Sequence, residues 1–180
     1  CEDEVGDPVV EHFIAHKGDN KLKYDWNNLF YACHRCNNIK ETHIDSKNLS
    51  IHDCSNTLID ISRVIKCLCP SVPNHDVIVE EQDKSDITKH TTALLHNCYN
   101  ADNTGIRGIS KELLHEKLFE YYVDFVKYRR ILKSRDALQS KKDEAMEHLT
   151  KMIDVSYPFS AFWKWHIRSD NFLAPLFPHI

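Results

Sequence analysis

Near the start of the chain, two short apolar runs are separated by turn residues. Residues 8–14 form the first run and Leu29-Phe30-Tyr31-Ala32 the second, which is typical of β-strands. The segment Lys17-Gly18-Asp19-Asn20-Lys21 between them predicts a turn. A short helix is expected to begin near Asn37, because asparagine is a good N-cap and Lys40 follows within one turn. The pattern therefore predicts strand, loop, strand and helix.

The next segment has no clear periodicity. Residues 58–68 fit either a strand or a short helix, and Pro70 and Pro73 then interrupt the chain. Val77-Ile78-Val79 is expected to be a strand. We interpret residues 46–85 as an irregular connecting segment.

From about residue 86 the apolar positions recur at helical spacing. Residues 88–99 predict one helix, Ser110 is expected to cap a second long helix, and residues 135–152 predict a third. The positions that form the apolar stripes are Leu94, Leu95, Cys98, Leu114, Leu118, Tyr121 or Tyr122, Phe125, Val126, Leu138, Met146, Leu149 and Met152. An aromatic tail at residues 157–165 is expected to pack internally or to form an interface.

Together these elements predict an α+β protein that is mostly helical. We divide it into residues 1–45, 46–85 and 86–180, the last a helical region expected to dock a partner. With 42% hydrophobic and 28% charged residues, the 180-residue chain has the composition of a soluble globular protein. It lacks an apolar run of about 20 residues that could cross a membrane, and its acidic start does not predict a secretory signal. A cytoplasmic location is expected.

The charge and the cysteines add two constraints. The net charge is −4, whereas a protein that grips nucleic acid unaided is usually basic. Either a local basic patch or a partner is therefore needed, and we favour a partner. The seven cysteines are odd in number, and only Cys33/Cys36 and Cys67/Cys69 are closely spaced, which favours reduced thiols, some of them bound to metal.

Three motifs follow one another within the first forty residues. They are Val10-Glu11-His12-Phe13, Trp26-Asn27-Asn28-Leu29, and Cys33-His34-Arg35-Cys36-Asn37-Asn38-Ile39-Lys40. In this order they resemble the HNH (ββα-metal) endonucleases. The resemblance implies a ββα core that hydrolyses phosphodiester bonds with one divalent cation and a histidine base. This core would carry a zinc knuckle and be followed by a helical C-terminal half.

The resemblance implies a role for each matching residue. Glu11 would ligate the catalytic Mg²⁺ or Mn²⁺, although an aspartate is commoner there, and His12 would be the general base. Because adjacent strand residues point to opposite faces, a bulge or strand end must bring both into one site. Asn28, with Asn27 as its competitor, would tie down the loop and orient His12.

Two residues of the third motif complete the catalytic set. Asn37 stands where many members have histidine, and its carbonyl oxygen suits Mg²⁺ better than Zn²⁺. Lys40, one turn later, would contact the scissile phosphate. The alternative for Lys40 is an ordinary solvated helix lysine.

Cys33 and Cys36 are half of a zinc knuckle, which needs further ligands. The resemblance suggests Cys1 as the third ligand of a structural Zn²⁺, with a fourth three residues before it. Alternatives within the chain are Cys54, Cys67 or Cys69, or no zinc at all.

Among these nucleases the chain resembles the PtuB subunits of Septu-type prokaryotic defence systems, and similar subunits accompany some retrons. This implies a cytoplasmic nuclease subunit that binds an ABC-type ATPase (PtuA-like), with a retron RNA/DNA assembly as a further option. Tyr157, Phe159, Phe162, Trp163 and Trp165 are the residue types that anchor interfaces.

Two alternatives remain open. The chain could be a non-catalytic zinc module for assembly or nucleic-acid binding, although such a module would not need Glu11, His12, Asn28 and Asn37.

The cluster of Arg129, Arg130, Lys133 and Arg135 could follow a phosphate backbone or meet an acidic partner. It could equally be the solvated face of a helix.

Overall fold

The computed structural model describes residues 8–53, 55–56, 58–72, 75–102 and 110–180. The strands are β1 Pro8–His12, β2 Leu29–Cys33, β3 Ile65–Leu68 and β4 Ile78–Glu81. The helices are α1 Asn20–Tyr24, α2 His34–His43, α3 Ile61–Val64, α4 Asp86–Asn100, α5 Lys111–Lys133, α6 Gln139–Met152 and α7 Ser160–Arg168. This confirms a mostly helical α+β protein. Within these ranges, no helix is both long and apolar enough to cross a membrane.

The first unit of the fold is an antiparallel strand pair followed directly by a helix. β1 and β2 pair so that Glu11 lies opposite Phe30 and His12 opposite Leu29. We call β1, β2, α2 and the loop between the strands the ββα unit. Its helix begins at His34, so the expected start near Asn37 was wrong. The reason is that Cys33 is the N-cap, and its sulfur accepts the backbone N–H of Cys36 at 3.4 Å.

The connecting segment contains a regular hairpin that the sequence pattern did not predict as a whole. α3 leads directly into β3, which pairs with β4 so that Ile65 lies opposite Glu81. Residues 58–68 were predicted to form either a strand or a short helix. The structure has both, because the helix α3 is followed directly by the strand β3. Ile65, Cys67 and Val79 are buried in the main core, where α4 and α7 also pack against the hairpin. The predicted division at residue 85 thus separates elements that share one core.

The helical half follows the predicted stripes closely. Ser110 caps α5, since its hydroxyl accepts the N–H of Leu113 at 3.2 Å. In α5 the buried hydrophobic residues of the stripe are Leu114, Leu118 and Phe125. Leu138 differs from its prediction: it is the N-cap of α6 and 72% exposed, because the helix begins only at residue 139.

Most of the aromatic tail lies in the core. Phe159, Phe162 and Trp163 are each at most 2% exposed, so these three are not interface anchors. The indole N–H of Trp165 donates to the carbonyl of Ile65 at 2.7 Å, which ties α7 to the hairpin. Arg129 is also used internally, in an ion pair with Asp170. The folded core therefore accounts for most of the residues predicted to meet a partner.

His166 is half-buried and packs against the rings of Tyr122 and Trp163. Its Nε2 accepts the backbone N–H of Cys69 at 3.0 Å, and burial lowers the pKa of the ring to about 4. The ring is therefore neutral at pH 7 and serves as a packing residue with one fixed hydrogen bond.

A second, smaller cluster joins the ββα unit to α4. Its buried hydrophobic residues are Ile39, Ile44, Leu94 and Cys98. Arg35 of α2 is fully buried beside this cluster and donates through Nε to the carbonyl of Cys98 at 2.6 Å. Because a buried guanidinium needs acceptors, this bond fixes the end of α4 against the start of α2.

Candidate active site

A cleft of about 520 Å³ opens between the end of β1 and α2. Its lining residues are Val10, Glu11, His12, Ala15, His16, Lys17, Asn37, Glu41, Asp45 and Ser46. Adjacent strand residues normally face opposite sides of a sheet. Glu11 and His12 nevertheless line the same cleft because His12 is the last residue of β1. The structure thus brings Glu11, His12 and Asn37 together.

A backbone hydrogen bond fixes the tautomer of His12. Nε2 lies 3.0 Å from the carbonyl oxygen of Lys23. A carbonyl can only accept, so Nε2 carries the hydrogen and Nδ1 is the basic nitrogen of the neutral ring. The ring of His16 lies beside it, with the centroids 4.8 Å apart. His16 uses its own Nδ1 to accept the N–H of Gly18 at 3.1 Å, so His12 is the better placed base.

Asn28 ties together the loop between β1 and β2. Its Oδ1 accepts the N–H of Ile14 at 2.7 Å, and its Nδ2 donates to the carbonyls of Ile14 and Leu22, each at 2.9 Å. Asn28 is only 4% exposed, whereas its neighbour Asn27 is exposed. Because Leu22 precedes Lys23, whose carbonyl binds His12, Asn28 holds the segment that orients the histidine ring.

The side chain of Lys40 is buried, so it is neither a solvated lysine nor exposed for contact with a phosphate. Its Nζ lies 2.6 Å from Glu11 Oε1 and 3.0 Å from Asp45, and it donates to the carbonyl of His12 at 2.9 Å. Lys40 is 5% exposed and Glu11 8%. Burial raises the pKa of Glu11, and the hydrogen bond and charge of Lys40 only partly oppose this. The ammonium therefore holds two carboxylates in place at the floor of the cleft.

The oxygen donors in the cleft are of the kind that Mg²⁺ prefers. Glu11 and Asp45 supply carboxylates, and Asn37, in the first turn of α2, supplies an amide. Across the described ranges, no group of three or more His, Cys, Asp or Glu side chains is arranged around a common metal position. Mg²⁺ usually binds proteins through one or two carboxylates, with water and substrate phosphate completing its shell. The two carboxylates and the amide in the cleft match this mode of Mg²⁺ binding.

The C-x-x-C pair lies at the start of α2, next to a third cysteine. The thiols of Cys33 and Cys98 both share hydrogen bonds with Cys36. These bonds lower the pKa of Cys36 well below its usual value, with the bond from Cys33 contributing most. They raise the pKa of Cys33 and of Cys98, and burial adds to both shifts.

The other cysteines proposed as ligands are not near this cluster or are not described. Cys67 and Cys69 are buried in the main core beside the hairpin. Burial raises the pKa of the Cys67 thiol to about 12, which is the behaviour of an inert packing residue. Cys1 and Cys54 lie outside the described residues.

Sequence reasoning missed three residues that contact the residues predicted to form the two sites. Asp45 shares Lys40 with Glu11, His16 packs against His12, and Cys98 contacts Cys36. For Asp45 a weak signal existed, since it follows Lys40 by little more than one helical turn. For Cys98 none existed, because its contact with α2 spans more than sixty residues of chain.

Comparison with known proteins adds no identification. No protein-family model matches the chain, and no curated protein or solved structure matches it significantly.

Proposed function

We propose that this chain is a metal-dependent endonuclease of the HNH type, which hydrolyses phosphodiester bonds in nucleic acid. One observation carries the proposal: Glu11, His12 and Asn37 line a single cleft on a strand–strand–helix unit. Asn28 braces the loop that presents the ring of His12. A zinc module without activity would not require these polar groups to converge.

The chemistry assigned to the side chains follows from their geometry. Nδ1 of His12 would take a proton from the attacking water, while its Nε2–H stays on the carbonyl of Lys23 and keeps the ring in place. Glu11 and Asn37 would hold Mg²⁺ or Mn²⁺, which when bound would neutralise charge on the phosphate and the leaving oxygen. Lys40 would set the position of Glu11 and Asp45 instead of touching the phosphate.

A structural Zn²⁺ is part of the proposal. Cys33 and Cys36 are its ligands, and the fit rests on thiols that already share hydrogen bonds at the start of α2. Cys1, the third ligand expected from the resemblance, lies outside the described residues and stays a prediction. Zinc there would brace α2 and leave the catalytic metal separate.

The first test is metal-dependent cleavage by an Asn37→Ala variant. We expect Mg²⁺-dependent cleavage of DNA or RNA by the wild-type chain, which EDTA abolishes, and a loss of about 10–100-fold in Asn37→Ala at limiting Mg²⁺. Part of that loss should be recovered at high Mg²⁺, because the variant weakens metal binding.

Asn38→Ala is the matched control, since Asn38 is the next residue of α2 and is exposed. It should cleave like the wild type. If no nucleic acid is cleaved under any metal condition, alone or with its partner, the non-catalytic zinc module becomes the better explanation.

We also propose an ABC-type ATPase partner, within a Septu-like or retron-associated defence assembly. It is supported by the resemblance to PtuB and by the net charge of −4, which does not favour unaided binding to nucleic acid. Co-expression with a PtuA-like ABC-type ATPase should give one complex on size-exclusion chromatography. The complex should cleave faster than the isolated chain. A chain that elutes alone and is fully active without the ATPase would contradict this.

A further inference from the structure

A second cavity, of about 370 Å³, adjoins the cleft. We call it the side pocket. The two cavities share three lining residues, Ala15, Lys17 and Asp45. The side pocket also has a wall of large apolar side chains, those of Phe13, Ile14, Leu49 and Ile51. It therefore combines an apolar wall with a cation at its boundary to the cleft.

We propose that the side pocket binds one unpaired nucleotide of the substrate, next to the scissile bond. Lys17 holds a phosphate at the boundary of the two cavities, and the apolar wall contacts the base. The inference rests on the proposed nuclease function and deepens it, because it names the substrate class as nucleic acid with unpaired bases.

Lys17 supplies the positive charge that a phosphate needs. Among the described residues that line the cleft, it is the only lysine or arginine. Its ammonium donates to Oδ1 of Asn48, a neutral acceptor, and no carboxylate in the described part of the chain pairs with it. Because a lysine ammonium has three N–H donors, two remain for phosphate oxygens. By contrast, the charge of Lys40 is balanced by Glu11 and Asp45.

The carboxylate at the boundary of the two cavities is already engaged. Both oxygens of Asp45 lie 3.0 Å from Nζ of Lys40. The carboxylate is therefore directed at Lys40, which partly balances its charge where the phosphate of the substrate binds.

The backbone of Lys17 has an uncommon conformation. Its φ is +45°, and Gly18 follows with +91°. A long side chain seldom adopts a positive φ, and such residues persist only where the surrounding structure fixes them. Here Nδ1 of His16 accepts the N–H of Gly18 at 3.1 Å, and the carbonyl of His16 accepts the N–H of Asp19 at 2.7 Å. This closed turn fixes the point from which Lys17 extends between the two cavities.

The apolar wall suits a base. Ile14 is 54% exposed, and Phe13, Leu49 and Ile51 are half-buried, so apolar surface remains open to the side pocket. Unpaired bases pack on aromatic and apolar side chains with little dependence on sequence. A base that enters a pocket beside the scissile bond must leave the stack of a duplex, which is easiest where it is already unpaired. The side pocket therefore favours single-stranded substrate.

The first test compares single-stranded and fully paired substrates of one sequence, as DNA and as RNA, in the presence of Mg²⁺. Whichever of the two nucleic acids the wild type cleaves, we expect its single strand to be cut at least about 10-fold faster than its duplex, because a paired base must first be unstacked. Equal rates, or a faster cut in the duplex, would overturn the proposal.

The second test is Lys17→Met. It should lower kcat/KM by about 10–100-fold, mainly through a higher KM, because a charge-assisted hydrogen bond to phosphate is lost. Lys47→Met is the matched control: Lys47 is also exposed and lies two residues after Asp45, but it lines neither cavity. It removes the same charge and should cleave like the wild type.

Ile14→Ala tests the contact with the base separately. On an oligonucleotide that is cut at one mapped bond, the variant should cleave about 3–10-fold more slowly than the wild type, because it loses apolar contact. The two nucleotides that flank this bond are then made abasic in turn, and the difference should vanish on one of the two substrates. Val123→Ala is the matched control, since Val123 on α5 is 51% exposed and lines neither cavity.

Different results separate this inference from the nuclease proposal. A normal kcat/KM in Lys17→Met, or a deficit of Ile14→Ala that persists on both abasic substrates, would refute the side pocket and leave the nuclease function standing. If the wild type cleaves no nucleic acid under any metal condition, alone or with its partner, the proposed function fails and this inference fails with it.

Discussion

His12→Ala is expected to lower the rate of metal-dependent cleavage on the order of 10²–10⁴-fold, the usual contribution of a general base. Nε2–H of His12 is bound to the carbonyl of Lys23, which leaves Nδ1 to accept the proton from water. The substitution removes one hydrogen bond at an exposed position, so unfolding free energy should change by only about 1 kcal/mol. Added imidazole should restore part of the rate, because the cavity left behind can hold a free base.

His90→Ala is the matched control for this variant. His90 also binds a backbone carbonyl through one ring nitrogen, that of Ser50 at 3.1 Å, but it does not line the cleft. It should cleave at the wild-type rate. A wild-type rate in His12→Ala would show that His12 is not the base. If His16→Ala loses the activity instead, the neighbouring ring has that role.

The ββα unit was predictable because its signals are local and dense. Two apolar runs, a turn at Lys17-Gly18 and the C-x-x-C motif lie within forty residues, and Gly18 does adopt the positive φ of +91° that favours glycine. The start of α2 was misplaced because its cap is a cysteine, which is not among the usual capping residues.

The hairpin of β3 and β4 was less predictable. Each strand has four residues, and β3 follows a single helical turn without a break. Strands this short owe their stability to tertiary packing, here against α4 and α7, and little to their own pattern. The aromatic tail was ambiguous for another reason. Aromatic residues that pack in a core and those that anchor an interface are of the same types, so the sequence does not distinguish them.

Contacts between distant parts of the chain were beyond sequence reasoning. The sequence suggested a phosphate contact or a solvent position for Lys40, but its side chain reaches back to Glu11 on β1. The pairing of Cys98 with Cys36 likewise depends on how α4 packs on α2. The motif that contains Lys40 and the helical stripe that contains Cys98 do not reveal these distant contacts.

Lys40→Met should destabilise the fold by about 3–5 kcal/mol at pH 7, because it leaves a buried carboxylate without its cation. Glu11 and Lys40 form a 2.6 Å ion pair with side chains 9% and 6% exposed. The pKa of Glu11 is already raised by burial, and loss of the ammonium would raise it further. Protonation of Glu11 relieves the penalty, so the deficit should shrink as pH falls below 7. Urea unfolding at several pH values measures it.

Lys66→Met is the matched control, because it breaks an ion pair of similar length that is more exposed than the pair of Lys40 and Glu11. Lys66 and Glu80 lie 2.7 Å apart, but their side chains are 27% and 55% exposed, so the loss should be at most about 1 kcal/mol. Combining Lys40→Met with Glu11→Gln should recover much of the stability, since no unpaired charge then remains at Glu11. Equal losses in Lys40→Met and Lys66→Met, or no recovery in the double variant, would contradict a buried charge pair at the floor of the cleft.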